Sequence, residues 1–130
     1  EKNYIEGSKI LVADDNFLNR TIVAHILKKE KANYALVKDG VEALAAMQKE
    51  TFDLVLLDIN MPNLSGESLI KQKEAYQETN SKTPILALTG NSSVDDIVGY
   101  LKIGFKDVIP KPFTGSQFVE LLNKNLRVIF

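Results

Sequence analysis

Cysteine is absent from all 130 residues, which removes disulfides and thiolate metal ligands and is compatible with a reducing compartment. Neither sign of charge dominates: 16 basic residues face 17 acidic ones, for a net charge of -1. That balance leaves no global field to attract nucleic acid or an anionic membrane. There is no apolar run long enough to span a bilayer and no signal-peptide pattern, so a cytoplasmic location is expected. Internal repeats and low-complexity segments are also lacking. The length suits one domain that buries roughly two thirds of its unfolded surface. Residues 1–7 are polar and without periodicity, and read as a linker or chain end ahead of a domain over residues 8–130. The last helix finishes in Arg127-Val128-Ile129-Phe130, an apolar end suited to continuing into another domain.

The chain does contain a regular alternation. Five short stretches, Lys9 to Ala13, Tyr34 to Val37, Leu54 to Leu57, Ile85 to Leu88 and Val108 to Ile109, are rich in Ile, Leu and Val. They lack polar alternation, as expected of strands buried on both faces. Helical segments separate them. Asp39-Gly-Val-Glu42, Ser92-Ser-Val-Asp95 and Thr114-Gly-Ser-Gln117 each place a capping oxygen three residues ahead of an acid or amide. Ser65-Gly66 opens the third helix, and Gly104 suits the end of the fourth. Strand and helix alternate five times, which predicts an α/β fold: a doubly wound parallel sheet with helices on both faces.

The polar residues at the strand ends are unusual as a set. The third apolar stretch ends in Asp58, the first in Asp14-Asp15, the fourth in Thr89, and the fifth leads through Pro110 to Lys111. Open α/β sheets bind ligands beyond the carboxyl ends of their strands, so parallel neighbouring strands would bring these groups to one edge. Carboxylates packed together repel, and a hard divalent cation with oxygen ligands, such as Mg²⁺, relieves that repulsion. Each residue has a plainer explanation alone: Asp14-Asp15 as turn and cap, Thr89 as cap, Lys111 as a solvated loop charge. Together those explanations require four independent accidents at one sheet edge. His25, the sole histidine, lies mid-helix with no second ligand at helical spacing and is assigned to packing or surface.

Asp14-Asp15, Asp58-Ile-Asn-Met61-Pro62 with Gly66, Leu88-Thr89 and Lys111-Pro112-Phe113 resemble the signature of the response regulator receiver domain of two-component signalling. The resemblance runs from about Lys9 to the last helix. Asp14-Asp15-Asn16 with Asn19-Arg20 is further similar to the receivers of hybrid histidine kinases and phosphorelays. It implies a flavodoxin-like five-stranded parallel sheet of order 2-1-3-4-5. It also implies that Asp58 is a phosphoacceptor served by a histidine kinase or histidine phosphotransfer domain. In the implied site, Asp15 and Asp58 ligate Mg²⁺ directly, the backbone carbonyl of Asn60 adds a third oxygen, and Asp14 acts through water. Lys111 pairs with Asp58 at rest and with a phosphoryl oxygen after transfer, when Thr89 donates its hydroxyl to another. Such a domain is a signalling phosphoacceptor rather than an enzyme, assisting only its own phosphotransfer and autodephosphorylation. It is expected within a larger multidomain protein, which includes the cytoplasmic part of a membrane-bound hybrid kinase. The domain itself is expected to touch neither nucleic acid nor membrane.

Leu18 and Ile22 are four apart and share a helix face distinct from the Val23 and Leu27 stripe assigned to the core. That face, with the loop after Lys111, is the expected dock for the phosphodonor. Two positions depart from the family. Val108 stands where the family often has Tyr or Phe, so coupling to the surface must use loop movement or other packing, or be weaker. Gly90 follows Thr89 where Ala is common and should loosen that loop. The output surface implied by the family is the fourth helix, fifth strand and fifth helix. A haloacid dehalogenase-type phosphatase needs a second aspartate where this chain has Asn60, and its nucleophile usually follows the first strand. A nucleotide-binding module lacks its glycine-rich loop. A receiver-like interaction domain that is not phosphorylated is the remaining alternative.

Overall fold

Alternate residues along every strand except one edge strand feed two separate cores. In the computed structural model, which describes residues 3–127, the elements are β1 (Lys9–Ala13), α1 (Phe17–Lys29), β2 (Asn33–Val37), α2 (Gly40–Lys49), β3 (Leu54–Asp58), α3 (Gly66–Lys71), α4 (Lys73–Asn80), β4 (Ile85–Thr89), α5 (Val94–Ile103), β5 (Asp107–Pro110) and α6 (Gly115–Leu126). Leu11, Ala13, Val55, Leu57, Ile85, Ala87 and Val108 pack with Ala43 and Met47 of α2, Leu69 of α3, Tyr76 of α4 and Tyr100 of α5. Ile10, Val12, Leu54, Leu56, Leu86, Leu88 and Ile109 pack on the other face with Val23 and Leu27 of α1 and Phe118 and Leu122 of α6. Burial on both faces is what the unbroken apolar runs require.

The strands are parallel throughout, in the order β2-β1-β3-β4-β5. This is the flavodoxin-like order implied by the family resemblance. β2 departs from the expected full burial: as an edge strand it leaves Tyr34 and Leu36 more than a third exposed. Asp39, Ser65 and Thr114 cap α2, α3 and α6 as expected, and Thr114 with Gln117 closes a reciprocal capping box. The cap of α5 falls one residue later than expected, at Ser93, whose hydroxyl accepts from the Asp96 N–H.

Six helices appear among the described residues rather than five, because the third expected helix breaks at Gln72. The buried Tyr76 hydroxyl donates to the Ile70 carbonyl at 3.2 Å, taking the acceptor that a continuous helix would offer to the Glu74 N–H. Asn80 ends α4 inside the protein, accepting from the Phe52 N–H and donating to the Met47 and Glu50 carbonyls. Within the first seven residues, Ile5 is fully buried against the second core, and the Gly7 N–H donates to the Lys31 carbonyl. The expected linker thus includes residues tied to the fold. Val128 to Phe130 lie outside the described residues.

Candidate functional site

The parallel order places the carboxyl ends of β1, β3, β4 and β5 side by side, and the polar residues meet there. Asp14 and Asp15 follow β1, Asp58 and Thr89 are the last residues of β3 and β4, and Lys111 follows β5. The backbone locks these ends together: the Asp14 N–H donates to the Val37 carbonyl, Ile59 to Leu88, and Lys111 to Thr89. Carboxylate oxygens of Asp14, Asp15 and Asp58 lie within 4.8 Å of one another. Lys111 Nζ sits 3.0 Å from Asp58 Oδ2 and 3.1 Å from Asp14 Oδ2. Asp14 and Asp58 are buried, whereas Asp15 is exposed.

Other donors complete the buried carboxylates. Asp14 Oδ1 accepts from the Asn16 N–H, Asp14 Oδ2 from Asn19 Nδ2, and Asp58 Oδ1 from the Asn60 N–H. Three carboxylates against one ammonium still leave the cluster anionic. Burial raises the Asp58 pKa, helped by the Asp14 charge and opposed by the hydrogen bond and charge of Lys111. Burial also disfavours the Lys111 ammonium, but its hydrogen bond to Asp58 and the charges of Asp14 and Asp58 outweigh that, and its pKa rises. An octahedral Mg²⁺ site with bonds of about 2.1 Å spaces its oxygens roughly 3 to 4.2 Å apart. The all-oxygen donor set suits such an ion, and the carboxylate oxygens, within 4.8 Å of one another, lie close to that spacing.

Several residues support the site in ways that the sequence does not display. Arg20 Nη1 donates to the Asp14 carbonyl at 2.8 Å, and Asn19 meets the Asp14 side chain, so α1 braces the acidic pair. The sequence marks both residues only through the family likeness. Asn63 Nδ2 donates to Asp39 Oδ2 at 2.8 Å, linking the loop after Asp58 to the start of α2. The hydrogen bonds from the Glu42 backbone and Asn63 lower the Asp39 pKa. Glycines allow the tight packing around this loop: a Cβ at Gly40 would strike the Leu64 backbone, and one at Gly66 the Asp58 carbonyl.

Thr89 is buried at the same edge, but its hydroxyl serves its own loop. Thr89 Oγ1 accepts from the Asn91 N–H at 2.9 Å and lies 3.3 Å from the Asn91 carbonyl and 3.4 Å from the Tyr100 hydroxyl. Val108 is buried in the core that holds Tyr100 and Phe105. Leu18 is 64% and Ile22 43% exposed, while Val23 and Leu27 are buried, so the two faces of α1 divide as expected. Phe17, 75% exposed, extends the apolar patch beyond the expected pair. His25 is exposed and outside the acidic cluster.

The model of the response regulator receiver domain matches residues 10–123. The chain belongs to the response regulator receiver family. This receiver domain is 32% identical over 122 residues to the transcription factor SKN7 of Saccharomyces cerevisiae, covering 94% of the chain and 19% of that protein. It is 31% identical over 118 residues to the sensor protein GacS of Pseudomonas syringae pv. syringae, covering 89% of the chain and 13% of that protein. It thus spans about a fifth or less of the length of these relatives. Among solved structures, the receiver domain of sensor histidine kinase PA1611 from Pseudomonas aeruginosa is similar with a TM-score of 0.83 and 29% identity, over 92% of this chain and 98% of that one. That neighbour carries a magnesium ion coordinated in its active site cleft. The chemotaxis response regulator CheY4 of Vibrio cholerae is similar with a TM-score of 0.83 and 31% identity, over 92% of this chain and 99% of that one. Among the described residues no helix is long and apolar enough to cross a membrane.

Proposed function

We propose that this receiver domain takes a phosphoryl group from a phosphohistidine onto the Asp58 carboxylate. One observation carries the proposal: Asp58 ends a buried strand with Lys111 and Asp14 against it and Asp15 within ligand distance. In the transfer a carboxylate oxygen forms a bond to phosphorus as the phosphorus–nitrogen bond breaks, and the imidazole leaves with the electron pair. Lys111 opposes the effect of burial and favours the anionic nucleophile, then follows the charge to a phosphoryl oxygen. Asp15, Asp58 and the backbone carbonyl of Asn60 would hold Mg²⁺ directly, and Asp14, already engaged by Lys111, Asn16 and Asn19, would act through water. When bound, Mg²⁺ supplies charge neutralisation and a template for the transferring oxygens. Thr89 donates its hydroxyl to a phosphoryl oxygen once it leaves the Asn91 carbonyl.

The domain works as a cytoplasmic phosphorelay module within a longer protein, its catalysis confined to its own phosphotransfer and autodephosphorylation. Similarity to the sensor protein GacS and the Asn19-Arg20 pair that braces Asp14 support that placement. The donor histidine protein docks over Leu18 and Ile22 beside the loop after Lys111; the exposure of both apolar side chains, on the helix that follows Asp14-Asp15 in the chain, supports this. Leu18→Ala or Ile22→Ala should slow transfer from a phosphorylated histidine phosphotransfer domain while leaving acetyl phosphate labelling and thermal stability nearly unchanged. Equal transfer rates for wild type and both variants would place the dock elsewhere.

A further inference from the structure

The Thr89 hydroxyl has one proton to give and two lone pairs to fill. The Asn91 N–H fills one lone pair at 2.9 Å, and the proton points to the Asn91 carbonyl at 3.3 Å. The Tyr100 hydroxyl, 3.4 Å away, is placed to fill the second lone pair as donor. Every partner of Thr89 Oγ1 thus belongs to α5 or the loop that leads to it, and none to the acidic cluster. Tyr100 is itself 8% exposed, its ring edge-to-face with Phe105 at 6.3 Å and packed in the core that contains Val108.

We infer that Tyr100 is the positioning residue that holds Thr89 off the phosphoryl site at rest and carries its movement to α5. This rests on the phosphoacceptor proposal above. When Thr89 turns its proton to a phosphoryl oxygen it leaves the Asn91 carbonyl, and the Tyr100 hydroxyl loses or re-forms its contact. Buried and wedged against Phe105, the ring cannot follow alone, so α5 shifts with it. The outer face of α5 carries Val94, Val98 and Leu101, spaced as one helical stripe and 77%, 42% and 45% exposed. Movement at Thr89 thereby becomes a displaced apolar surface, although position 108 holds no aromatic ring.

The test is fluorine NMR of fluorotyrosine-labelled protein with Mg²⁺ and beryllofluoride, together with amide spectra of wild type and Tyr100→Phe. The Tyr100 resonance should move on binding while those of Tyr4 and Tyr34 stay in place. In Tyr100→Phe, beryllofluoride should bind about two- to tenfold more tightly, the effect of removing one resting-state hydroxyl contact. The amide shifts over residues 94–103 should shrink severalfold in that variant, while those at residues 58–60 persist. A Tyr100 resonance that does not move, or α5 shifts in Tyr100→Phe equal to those of wild type, overturns the inference and leaves the phosphoacceptor proposal standing. Unmoved amides at residues 58–60 in wild type overturn both. Single Phe replacements of Tyr4, Tyr34 and Tyr76 assign the Tyr100 resonance by elimination, so the wild-type measurement decides even if Tyr100→Phe does not fold.

Discussion

Lys111→Met removes the cation that lies between Asp58 Oδ2 and Asp14 Oδ2, 3.0 and 3.1 Å away, and replaces it with a side chain of similar length. At that separation and an effective dielectric of about 20, each attraction is on the order of 5 kcal/mol before desolvation is subtracted. Most of it is offset by the cost of taking three charged groups from water. What remains is the penalty for leaving buried carboxylates uncompensated, about 3 to 5 kcal/mol for a broken buried pair. Lys111 is 22% exposed and Asp14 and Asp58 are nearly closed to solvent, so the expected loss lies toward the lower end, about 3 kcal/mol. A divalent cation replaces the missing charge. Urea unfolding should therefore show a large loss in EDTA and a larger Mg²⁺-dependent recovery in the variant than in wild type. A hundredfold excess of ligand over its Kd contributes about 2.7 kcal/mol by mass action alone. If Lys111→Met matches wild-type stability in EDTA at neutral pH, the ammonium is not what holds the acidic cluster together.

Asp58→Asn should stabilise the metal-free protein at neutral pH. Because burial raises the folded-state pKa of Asp58 above 3.8, the folded state binds more protons between 3.8 and that raised value, and stability falls as pH rises through the window. The asparagine variant escapes this loss, so its advantage in thermal melts should narrow as pH falls toward 3.8; an advantage that widens in acid would reverse the assignment. In calorimetric titrations Asp15→Ala should weaken Mg²⁺ binding more than Asp14→Ala, since the exposed Asp15 is taken as a direct ligand. Asp14→Ala should cost more folding stability, because Asp14 is buried among Lys111, Asn16 and Asn19. The opposite ordering of metal affinities would exchange the two roles.

The strand ends were legible in the sequence because they combine two local signals, an apolar run and an abrupt ionisable residue. Their convergence followed from the parallel order alone. Caps at Asp39, Ser65 and Thr114 were legible for the same local reason. What remained hidden depends on partners distant along the chain. The helix break at Gln72 comes from a buried tyrosine six residues past Ile70, and the Asp39–Asn63 link spans 24 residues. Nothing local marks Tyr100, whose hydroxyl meets Thr89 eleven residues away only in the folded protein. The exposure of Tyr34 and Leu36 follows from β2 lying at the sheet edge, which its apolar run does not announce. Ile5 stands alone among polar residues, so no periodicity marks it for the core.

Phosphoryl incorporation decides whether Asp58 is the acceptor. Wild type and Asp58→Asn, each incubated with acetyl phosphate and Mg²⁺ and read by intact mass, should differ by a single phosphoryl group. The adduct should form on wild type alone and fail to form in EDTA. An equal adduct on Asp58→Asn, a label mapped to His25 or a serine, or no adduct on folded wild type would contradict the proposed site.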